Sequence, residues 1–552
     1  MSTLFFFIYV AAYIAATVMG LRHYTHMLQL SSYQFQGYFR YLRSKPQRYG
    51  LHVGFLCVTA LLGVLGSNRI SKIFGILSFI FLIFLIFQYL PKKAKKKFVV
   101  TKRVQRLFIT YGIVFAALMG ISTWCYFTGG QTLAGVFIAT KNSVSNFTIE
   151  TNGKKLASML IVAAFMGFLP LVTALCNLIN KPVEKRVNDW FIHDAQRLLN
   201  EHPGLRIIGI TGSYGKTSVK YYLWTLLSEG YRVLMTPESF NTPMGVVRTI
   251  REQLTPMHEI FICEMGARHV HDIKEITDIV HPDDGMLTSI GPQHLETFHS
   301  MENIIDTKLE LFDAVQEKSR TGLKFANGDN EIIVSNIRHN NVVLYGCSEG
   351  CHYRATDVKF TADGASFKVT APDGDTADFS MKLLGEHNVT NVVGAIAMAH
   401  TMGIPMSKLR MAVRRITPAP HRQELKKHGN ISIIDDAYNS NPMGAKRALD
   451  TLSKFEDSVR ILVTPGMVEL GEKEAEYNKE FGRQAAKAAD YIILVGSEHT
   501  RPIKEGALEA GFSEDKLFVK EELKEATDLM YEIDAGKPKV ILLENDLPDN
   551  YL

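Results

Sequence analysis

The distribution of apolar positions divides the chain into a first third of long apolar segments and a remainder of shorter, alternating ones. Five segments within residues 1–180 carry almost no charge, and each has about the length of a membrane-crossing helix, ~20 residues. One such segment is also typical of a buried core helix, but five in series predict a multi-span membrane region. The segments are 4–21, 51–66, 73–90, 107–127 and 156–179.

Lysine and arginine are concentrated in alternate loops of this region. The loops 22–48 and 92–106, and the stretch after 181, are basic, whereas 67–72 and 128–155 are short or rich in Thr, Asn and Gly. Since basic loops stay in the cytoplasm, we expect an external N-terminus and cytoplasmic catalytic domains in a multi-pass protein of the bacterial cell membrane. The same loops can bind anionic membrane lipids. No basic segment precedes the first span, so we expect no cleaved signal peptide.

Beyond residue 200 the pattern becomes that of a parallel α/β protein, beginning with the stretch LRIIGITGSYGKTS at 205–218. A short apolar strand leads into a glycine-rich turn and then into a helix, which is the order of a phosphate-binding loop. Ile210 occupies the place of the first glycine of the common motif, so the loop is a variant. The alternative is a simple strand-to-helix turn. The residues expected to bind nucleotide are Thr211, Gly212, Ser213, Tyr214, Gly215, Lys216, Thr217 and Ser218.

Two further predicted strands end in groups that suit a metal ion. The strand 259–264 ends in Glu264, and the strand 285–290 is followed by His294. In a parallel sheet the carboxyl ends of strands line the ligand crevice, where a carboxylate can hold Mg²⁺ on nucleotide phosphates. Lys308 lies on the next predicted helix. Taken alone, His294 and Lys308 are more typical of surface residues. They become candidate site residues because Lys216 and Glu264 are predicted at the same edge of the sheet.

The soluble part is predicted to contain two α/β domains. Residues 323–382 change to short alternating strands, predicted as a β-rich flap on the first domain, and the proline-rich segment 417–422 reads as a linker. Strands at 431–434, 459–463, 491–495 and 540–543 then alternate with helices and predict a second, Rossmann-like α/β domain. The predicted domains are a membrane region at 1–180, a nucleotide-binding domain at 181–418 and a C-terminal domain at 419–552.

Composition narrows the function classes only slightly. The net charge of +5 over 552 residues is small and does not indicate a nucleic-acid partner. Six cysteines are scattered, and no second pair or histidine cluster completes a zinc site, so we expect ordinary thiols in a reducing compartment. A disulfide between Cys347 and Cys351 is the alternative.

Residues from about 205 onward resemble the Mur ligase family of ATP-dependent peptide ligases, and within it the branch that adds D-alanyl-D-alanine to UDP-N-acetylmuramoyl-tripeptide. Nine motifs in order carry the resemblance: TGSYGKTS (211–218), NTPMGV (241–246), EMGARHVHDI (264–273), GPQHLETF (291–298), DTKLELF (306–312), GEHNVTNVVGAIAMA (385–399), APHRQE (419–424), DDAYNSNP (435–442) and PGMVELGE (465–472).

The resemblance implies a role for each matching residue. Lys216, Lys308 and Arg422 would be the catalytic group, with Lys308 as a carbamylated lysine facing Mg²⁺. The implied metal ligands are Thr217, Glu264, His294 and Lys308. The implied nucleotide contacts beyond the loop are Asn388 for adenine, Arg422 for the phosphates, Asp436 for ribose, and Tyr438 with Asn439 beside it.

The implied reaction is ATP-dependent amide formation in peptidoglycan precursor synthesis. A substrate carboxylate becomes an acyl phosphate, and an amine then displaces phosphate. Two departures leave both substrates open: membrane segments occupy the place of the family's UDP-binding domain, and the C-terminus (LLENDLPDNYL) lacks a Lys-Gly-Ser type motif. We therefore expect a muramoyl-peptide donor, UDP-linked or lipid-linked. The alternatives are a membrane scaffold for cell-wall synthesis enzymes, an ATP-driven membrane protein and a folate- or poly-amino-acid-adding ligase.

Overall fold

The computed structural model describes residues 3–64, 69–90, 97–128, 153–361, 364–438, 440–468, 470–533 and 536–546. The chain forms two compact units, Met1–Asn188 and Asp189–Leu547. The predicted nucleotide residue Asn439 lies outside the described residues, as do most of the predicted external loop 128–155 and part of the basic loop at 91–96.

The N-terminal unit is helical wherever it is described in regular structure. Buried aromatic side chains such as Tyr24, Tyr38 and Phe55 form much of its core. Tyrosine hydroxyl groups in this core form hydrogen bonds, for example between Tyr24 Oη and Tyr89 Oη at 2.7 Å. Its helices are α1 (Thr3–Leu30), α2 (Phe35–Ser44), α3 (Pro46–Val64), α4 (Arg69–Gln88), α5 (Lys102–Thr128), α6 (Gly153–Gly167) and α7 (Leu169–Asn200).

The helices match the predicted apolar segments in position but differ in extent. The predicted span 156–179 is broken at Phe168, where α6 and α7 meet at 79°, and α7 continues to Asn200 through Pro182. By length and composition, one helix of the described chain, Lys102–Trp124, is long and apolar enough to cross a membrane, or two if the bent pair is a single span. Tyr49–Ala60 and Ile73–Gln88 are shorter apolar helices. The count thus supports one or two of the five predicted spans.

The second unit begins with a largely parallel sheet that confirms the α/β prediction. Its strand order over the described residues is β2-β3-β1-β4-β5-β6-β7-β8-β9. The strands are β1 (Arg206–Thr211), β2 (Val233–Met235), β3 (Ile260–Glu264), β4 (Asp284–Leu287), β5 (Lys324–Asn327), β6 (Val342–Gly346), β7 (Tyr353–Thr361), β8 (Gly364–Thr370) and β9 (Thr376–Met381).

Helices cover this sheet with apolar faces at helical spacing. Among them, α8 packs Val219, Leu223 and Leu226 into the same core as β1 and β4. The helices are α8 (Lys216–Leu227), α9 (Pro243–Gln253), α10 (Asp272–Val280), α11 (Leu295–Phe298), α12 (Met301–Lys318), α13 (Glu331–Asn336), α14 (His387–Thr401) and α15 (Met406–Val413).

The β-rich segment 323–382, predicted as a flap on the first domain, belongs to that domain as part of its sheet. Its strands extend the edge of the main sheet, because β6 pairs in parallel with β7 at Tyr345 and Tyr353, and β7, β8 and β9 then follow as an antiparallel meander. The alternating pattern identified the strands correctly. Which sheet they join depends on pairing across the chain, which local periodicity does not encode.

The C-terminal part of the unit is a second α/β layer, in the strand order β10-β11-β15-β12-β13-β14 among the described residues. The prediction missed the antiparallel edge strand β10 and the short β14. Its elements are β10 (Glu424–His428), β11 (Ile431–Asp436), α16 (Pro442–Ser453), β12 (Val459–Thr464), α17 (Glu474–Ala488), β13 (Tyr491–Val495), α18 (Ser497–Glu509), β14 (Leu517–Lys520), α19 (Leu523–Glu532) and β15 (Lys539–Glu544).

Sheet topology brings the predicted site residues to one edge. β1 lies between β3 and β4 and is parallel to both, so the loops after these three strands meet. Five cysteines with described side chains are free, including Cys347 and Cys351, so the alternative disulfide is not formed.

Candidate active site

The turn after β1 has the backbone conformation that its glycines predict. Gly215 precedes α8 in the left-handed region, at φ 81°. Gly212 approaches β4 so closely that an added Cβ would lie 2.2 Å from Thr288 Oγ1. The turn is also fastened by Tyr214 N, which donates to Ser289 Oγ at 2.7 Å. It is therefore a rigid loop at a helix N-terminus, the arrangement that binds phosphate groups.

Lys216 is the first residue of α8, and its side chain folds back over the turn. Its ammonium donates to Gly212 O at 2.5 Å and to Ser213 O at 3.2 Å. Burial lowers the pKa of Lys216 to about 8, Glu264 opposes that shift, and Arg422 adds to it. The ammonium thus lies over the phosphate-loop backbone and within electrostatic reach of groups from both domains.

Glu264 lies at the end of β3, fully buried, and is the centre of a polar network. Its Oε1 accepts from Thr217 Oγ1 at 3.0 Å and from Asn241 Nδ2 at 2.9 Å, and its Oε2 is 2.9 Å from Lys220 Nζ. Burial raises the pKa of the Glu264 carboxyl, but Lys220 and then Lys216 outweigh that effect and hold the pKa below its ordinary value. Glu264 is therefore an anion directly beside the Thr217 hydroxyl.

His294 and Lys308 lie in the same electrostatic environment. Burial, together with the positive charges of Arg268, Lys216 and Lys308, lowers the pKa of His294 to about 3. The imidazole is therefore neutral at pH 7, the form that ligates metals.

Lys308 is 3% exposed on α12, and burial, with Lys216, lowers its pKa well below the ordinary value, while Asp272 and Glu310 oppose the shift. Among the described residues, no hydrogen bond or ion pair to Lys308 Nζ is found. A buried lysine without a counterion is rare, because an unpaired charge in the interior is costly.

The C-terminal domain contributes a second group of charged side chains. Arg422 stacks on the Tyr438 ring with 4.2 Å from Cζ to the centroid. Burial raises the pKa of Asp436 to about 6 despite the opposing charge of Arg422. Glu544 is the register partner of Asp436 on the neighbouring strand, and burial raises its pKa well above the usual value, with Asp436 adding to the shift.

Asn388 lies at the start of α14 with its amide bonded inside the protein. Tyr222 Oη donates to Asn388 Oδ1 at 2.9 Å, and Asn388 Nδ2 donates to Leu384 O at 2.6 Å. Of its neighbours, Asn391 reaches the phosphate loop, where an added Cβ on Gly215 would lie 3.0 Å from Asn391 Oδ1. The adenine contact predicted for Asn388 would thus require its amide to exchange partners.

Thr217 Oγ1 and Glu264 offer the oxygen ligands that Mg²⁺ prefers, whereas the neutral imidazole of His294 is a less usual ligand for this ion. Within the described part of the chain, no group of three or more His, Cys, Asp or Glu side chains is close enough to hold a metal ion. A buried carboxylate beside a hydroxyl still fits Mg²⁺ that is brought in with phosphate oxygens, which is the usual mode for this ion. The residues therefore fit a nucleotide-borne metal rather than an all-protein cage.

Two residues of the site were missed in the sequence, Lys220 and Glu544. Lys220 is four residues after Lys216 on the buried face of α8. A lysine among apolar residues at helical spacing was the feature of the sequence that could have indicated a buried charge. Glu544 ends the last strand in the same way that Glu264 ends β3. Neither signal specified the partner, because the pairings with Glu264 and Asp436 cross 44 and 108 residues of sequence.

Known proteins are similar to this chain in sequence and in fold. Residues 210–399 match the Mur ligase middle domain, and residues 421–544 match the Mur ligase, glutamate ligase domain. UDP-N-acetylmuramoyl-tripeptide–D-alanyl-D-alanine ligase of Haemophilus influenzae is 27% identical over 74% of this chain and 87% of its own length. The Bacillus subtilis enzyme of the same name is 30% identical over 62% and 73%.

A solved structure shows the same fold. The chain superimposes on the MurF ligase from Thermotoga maritima in complex with ADP with a TM-score of 0.57 and 23% identity, and the match covers 65% of this chain and 80% of that one. Two α/β domains that face one phosphate loop define a nucleotide-dependent ligase. The chain belongs to the Mur ligase family. It is an ATP-dependent ligase of peptidoglycan precursor synthesis, as the sequence predicted.

Proposed function

We propose that this ligase joins D-alanyl-D-alanine to a muramoyl tripeptide. Relatives at 27% and 30% identity carry this activity in their names, and the alignments cover 87% and 73% of their lengths. The observation that carries the ATP-dependent part of the proposal is that Lys216 lies over the phosphate loop and that the charge of Arg422, from the C-terminal domain, acts on its ammonium. Such an arrangement neutralises charge on a transferring phosphoryl group, which is the main demand of this chemistry.

In the proposed mechanism, the backbone N–H groups of residues 211–215 and the Lys216 ammonium bind the triphosphate. Arg422 approaches from the second domain, while Asp436 and Tyr438 line the nucleoside side, with Asn388 or its neighbours at the base. Thr217, Glu264 and His294 would hold Mg²⁺, which neutralises phosphate charge when bound. The two domains exclude water, so that the activated carboxylate reacts with the amine rather than being hydrolysed.

We propose that Lys308 carries a carbamate. A neutral lysine amine adds CO₂ and releases one proton, and the product is an anion that can face Mg²⁺. The burial of Lys308 and the lack of a counterion among the described residues support this assignment. ¹³C NMR of protein equilibrated with labelled bicarbonate should show one carbamate signal that is absent in Lys308→Ala. Its presence in the variant would assign it elsewhere, and its absence from both would refute the assignment.

The substrate proposal is tested by phosphate release from the full chain in detergent. UDP-linked and undecaprenyl-linked muramoyl tripeptides should be screened against D-alanyl-D-alanine, single amino acids and L-alanyl-L-alanine. We expect the D,D-dipeptide to be the preferred amine, with an amide product identified by mass spectrometry. Turnover with a different amine would correct the substrate. Phosphate release without an amide product would contradict the ligase mechanism for these substrates.

We also propose that residues 1–180 are embedded in a membrane, ahead of a central domain at 181–418 and a C-terminal domain at 419–552. Large apolar side chains on the described helices are more than half exposed, including Phe7 at 63%, Phe87 at 65% and Ile113 at 64%. Such side chains on several helices indicate contact with lipid, since soluble surfaces rarely carry large apolar patches. The full chain should remain in the membrane pellet after alkaline carbonate extraction. Its release would contradict the embedding.

A further inference from the structure

Three parts of the N-terminal unit converge on a cluster of charged and aromatic residues, which we call the arginine cluster: Tyr33, Arg103, Arg106 and Glu184. Arg106 donates to Glu184 through Nε at 2.6 Å and through Nη2 at 2.7 Å. Arg103 lies with its Cζ 3.8 Å from the Tyr33 ring centroid. The cluster therefore joins the turn after α1, the start of α5 and the middle of α7.

The backbone at Tyr33 is held in a costly conformation. Ser32 and Tyr33 both have positive φ, 51° and 61°, a conformation that is strained for residues other than glycine. Asn177 Nδ2 fixes the turn by donating to Tyr33 O at 3.2 Å. Strain that the surrounding structure maintains is typical of functional sites, and here it places the Tyr33 ring under the Arg103 guanidinium.

The cluster has an excess of positive charge. Arg106 uses the Glu184 carboxylate bidentately, whereas the nearest approach of Arg103 to Glu184 is 3.9 Å. Arg103 Nε is buried and has no hydrogen-bond partner among the described residues, yet the side chain as a whole is 34% exposed. Arg103 is thus held by stacking with one buried donor unused and with part of its side chain exposed.

The helix to which these arginines belong increases the need for an anion. α5 begins at Lys102 and has no acidic residue in its first turn, so Lys102 and Arg103 lie at the positive end of the helix dipole. Cations are unfavourable there unless negative charge is nearby. Glu184 compensates one of the charges only, which leaves the cluster suited to a further anion.

The position of the cluster along α5 indicates where that anion lies. Ile109 and Ile113 are 63% and 64% exposed and belong to the proposed lipid-facing surface. At 1.5 Å per residue, Arg106 and Arg103 lie about 4.5 and 9 Å before Ile109 along the helix. The headgroup layer extends roughly 5–8 Å beyond the hydrocarbon core on each side, so the arginines lie at phosphate depth.

We propose that the arginine cluster is a binding site for the phosphate group of an anionic lipid headgroup, on a glycerol or a prenyl chain. Arg103 donates the charge-assisted hydrogen bonds to the phosphate. The Tyr33 ring orients the Arg103 guanidinium by stacking, and the Arg106–Glu184 ion pair packs beneath them. The inference rests on the membrane embedding proposed above. It gives that region a specific function, which is to hold a phosphate-bearing lipid.

The test uses the full chain in dodecyl maltoside, titrated with short-chain lipids while its thermal unfolding midpoint is followed. The probes are dioctanoyl phosphatidylglycerol, farnesyl phosphate, dioctanoyl phosphatidylcholine and inorganic phosphate. We expect the first or second probe to stabilise the protein at concentrations at least tenfold lower than phosphatidylcholine. Arg103→Gln should weaken that binding about tenfold, since each charge-assisted hydrogen bond contributes strongly.

Lys102→Gln is the matched control, because it removes the same charge from the adjacent residue, which is exposed and outside the cluster. It should change the affinity less than twofold. Arg103→Lys should fall between wild type and Arg103→Gln, because it keeps the charge but loses the fork. Equal effects of Arg103→Gln and Lys102→Gln would overturn the proposal, and so would equal binding of phosphatidylcholine.

The remaining outcomes separate the two proposals. Arg103-dependent binding of inorganic phosphate as tight as that of the lipids would overturn the lipid assignment. Carbonate extraction is scored independently: a protein that stays in the pellet but shows no Arg103-dependent binding refutes the site alone. Without ligand, the variants should keep the wild-type unfolding midpoint. If Arg103→Gln shifts that midpoint, the lipid affinity of Arg103→Lys becomes the test. An intermediate affinity supports the site, and a wild-type affinity contradicts it.

Discussion

At the scale of single residues, the candidate active site contains charged side chains that are buried in the protein. Lys220 and Glu264 are both fully buried, with 2.9 Å between Lys220 Nζ and Glu264 Oε2. Each charge therefore offsets part of the desolvation cost of burying the other. The Lys220 ammonium also bonds the carbonyl of Glu238. One lysine therefore holds both the Glu264 carboxylate and the loop before α9 in place.

The pair predicts a large effect of removing one partner. Lys220→Met should lower the free energy of unfolding by about 3–5 kcal/mol, because Glu264 would remain buried and uncompensated. Thermal unfolding of the purified chain measures the effect. The double variant Lys220→Met with Glu264→Gln should recover at least about 1 kcal/mol of the loss. A double variant as unstable as the sum of the singles would show that the ion pair is not coupled.

Asp435 and Asp436 are neighbours with opposite pKa shifts. Burial raises the pKa of Asp436 to about 6, whereas Lys426 at 2.6 Å and His421 outweigh burial and lower the pKa of Asp435. Asp436 therefore binds its proton more tightly in the folded state, and its contribution to stability is lost as pH rises from about 4 through 6. Asp435 contributes stability at neutral pH that is lost as pH falls through its lowered pKa.

Asp436→Asn should consequently raise the stability at pH 7.5 by about 1–3 kcal/mol, and the gain should shrink as pH falls below 5. Asp435→Asn, the matched control, should lower the stability at pH 7.5. Unfolding midpoints of both variants from pH 4.5 to 8 check this. Shifts of the same sign at pH 7.5 would contradict the assigned environments.

At the scale of elements, the turn between β1 and α8 is defined by close packing of its backbone. Gly212 has φ 150° and approaches Thr288 and Ser289 of the loop after β4, so the turn accepts no side chain there. Gly204, seven residues before Thr211, has open space around its Cα. Two glycines near the same strand thus differ in what they permit.

Gly212→Ala should reduce ATP affinity at least about tenfold, since displacing Thr288 or straining the turn costs 1–3 kcal/mol. Gly204→Ala should leave affinity within twofold. Binding of a fluorescent ATP analogue to the purified full chain measures both. Unchanged affinity in Gly212→Ala would contradict the role of this turn as the phosphate loop.

At the scale of the whole molecule, the basic loops orient the proposed membrane region. The contacts of Glu184 with Arg103 and Arg106 join two of the predicted cytoplasmic segments, one at the start of α5 and one in the middle of α7. Both segments must therefore lie on one side of the bilayer. The proposed topology predicts the ligase domains on that side, because they need cytoplasmic ATP.

Protease added to inverted membrane vesicles should cleave the ligase domains, whereas right-side-out vesicles should protect them. An epitope at the N-terminus should show the opposite accessibility, because the predicted number of spans is odd. Immunoblots of both vesicle types provide the measurement. Protection of the ligase domains in inverted vesicles would reverse the orientation, and equal accessibility of both ends would require an even number of spans.

The sequence by itself determined the class of fold and the position of the phosphate loop. Strand, glycines, Lys216 and helix are local in sequence, so periodicity and motif order were sufficient, and Glu264 was found because it ends a strand. The alternation in 323–382 likewise revealed strands. Local patterns carry this information because helix and strand periods depend on neighbouring residues only.

Only the tertiary structure decided which residues share an environment. It paired Lys220 with Glu264, placed Glu544 beside Asp436, used the Asn388 amide internally and joined the predicted flap to the main sheet. It also bent the fifth apolar segment at Phe168 and stacked Arg103 on Tyr33. These features depend on contacts between residues far apart in the chain, where burial and desolvation, rather than local propensity, set the energies.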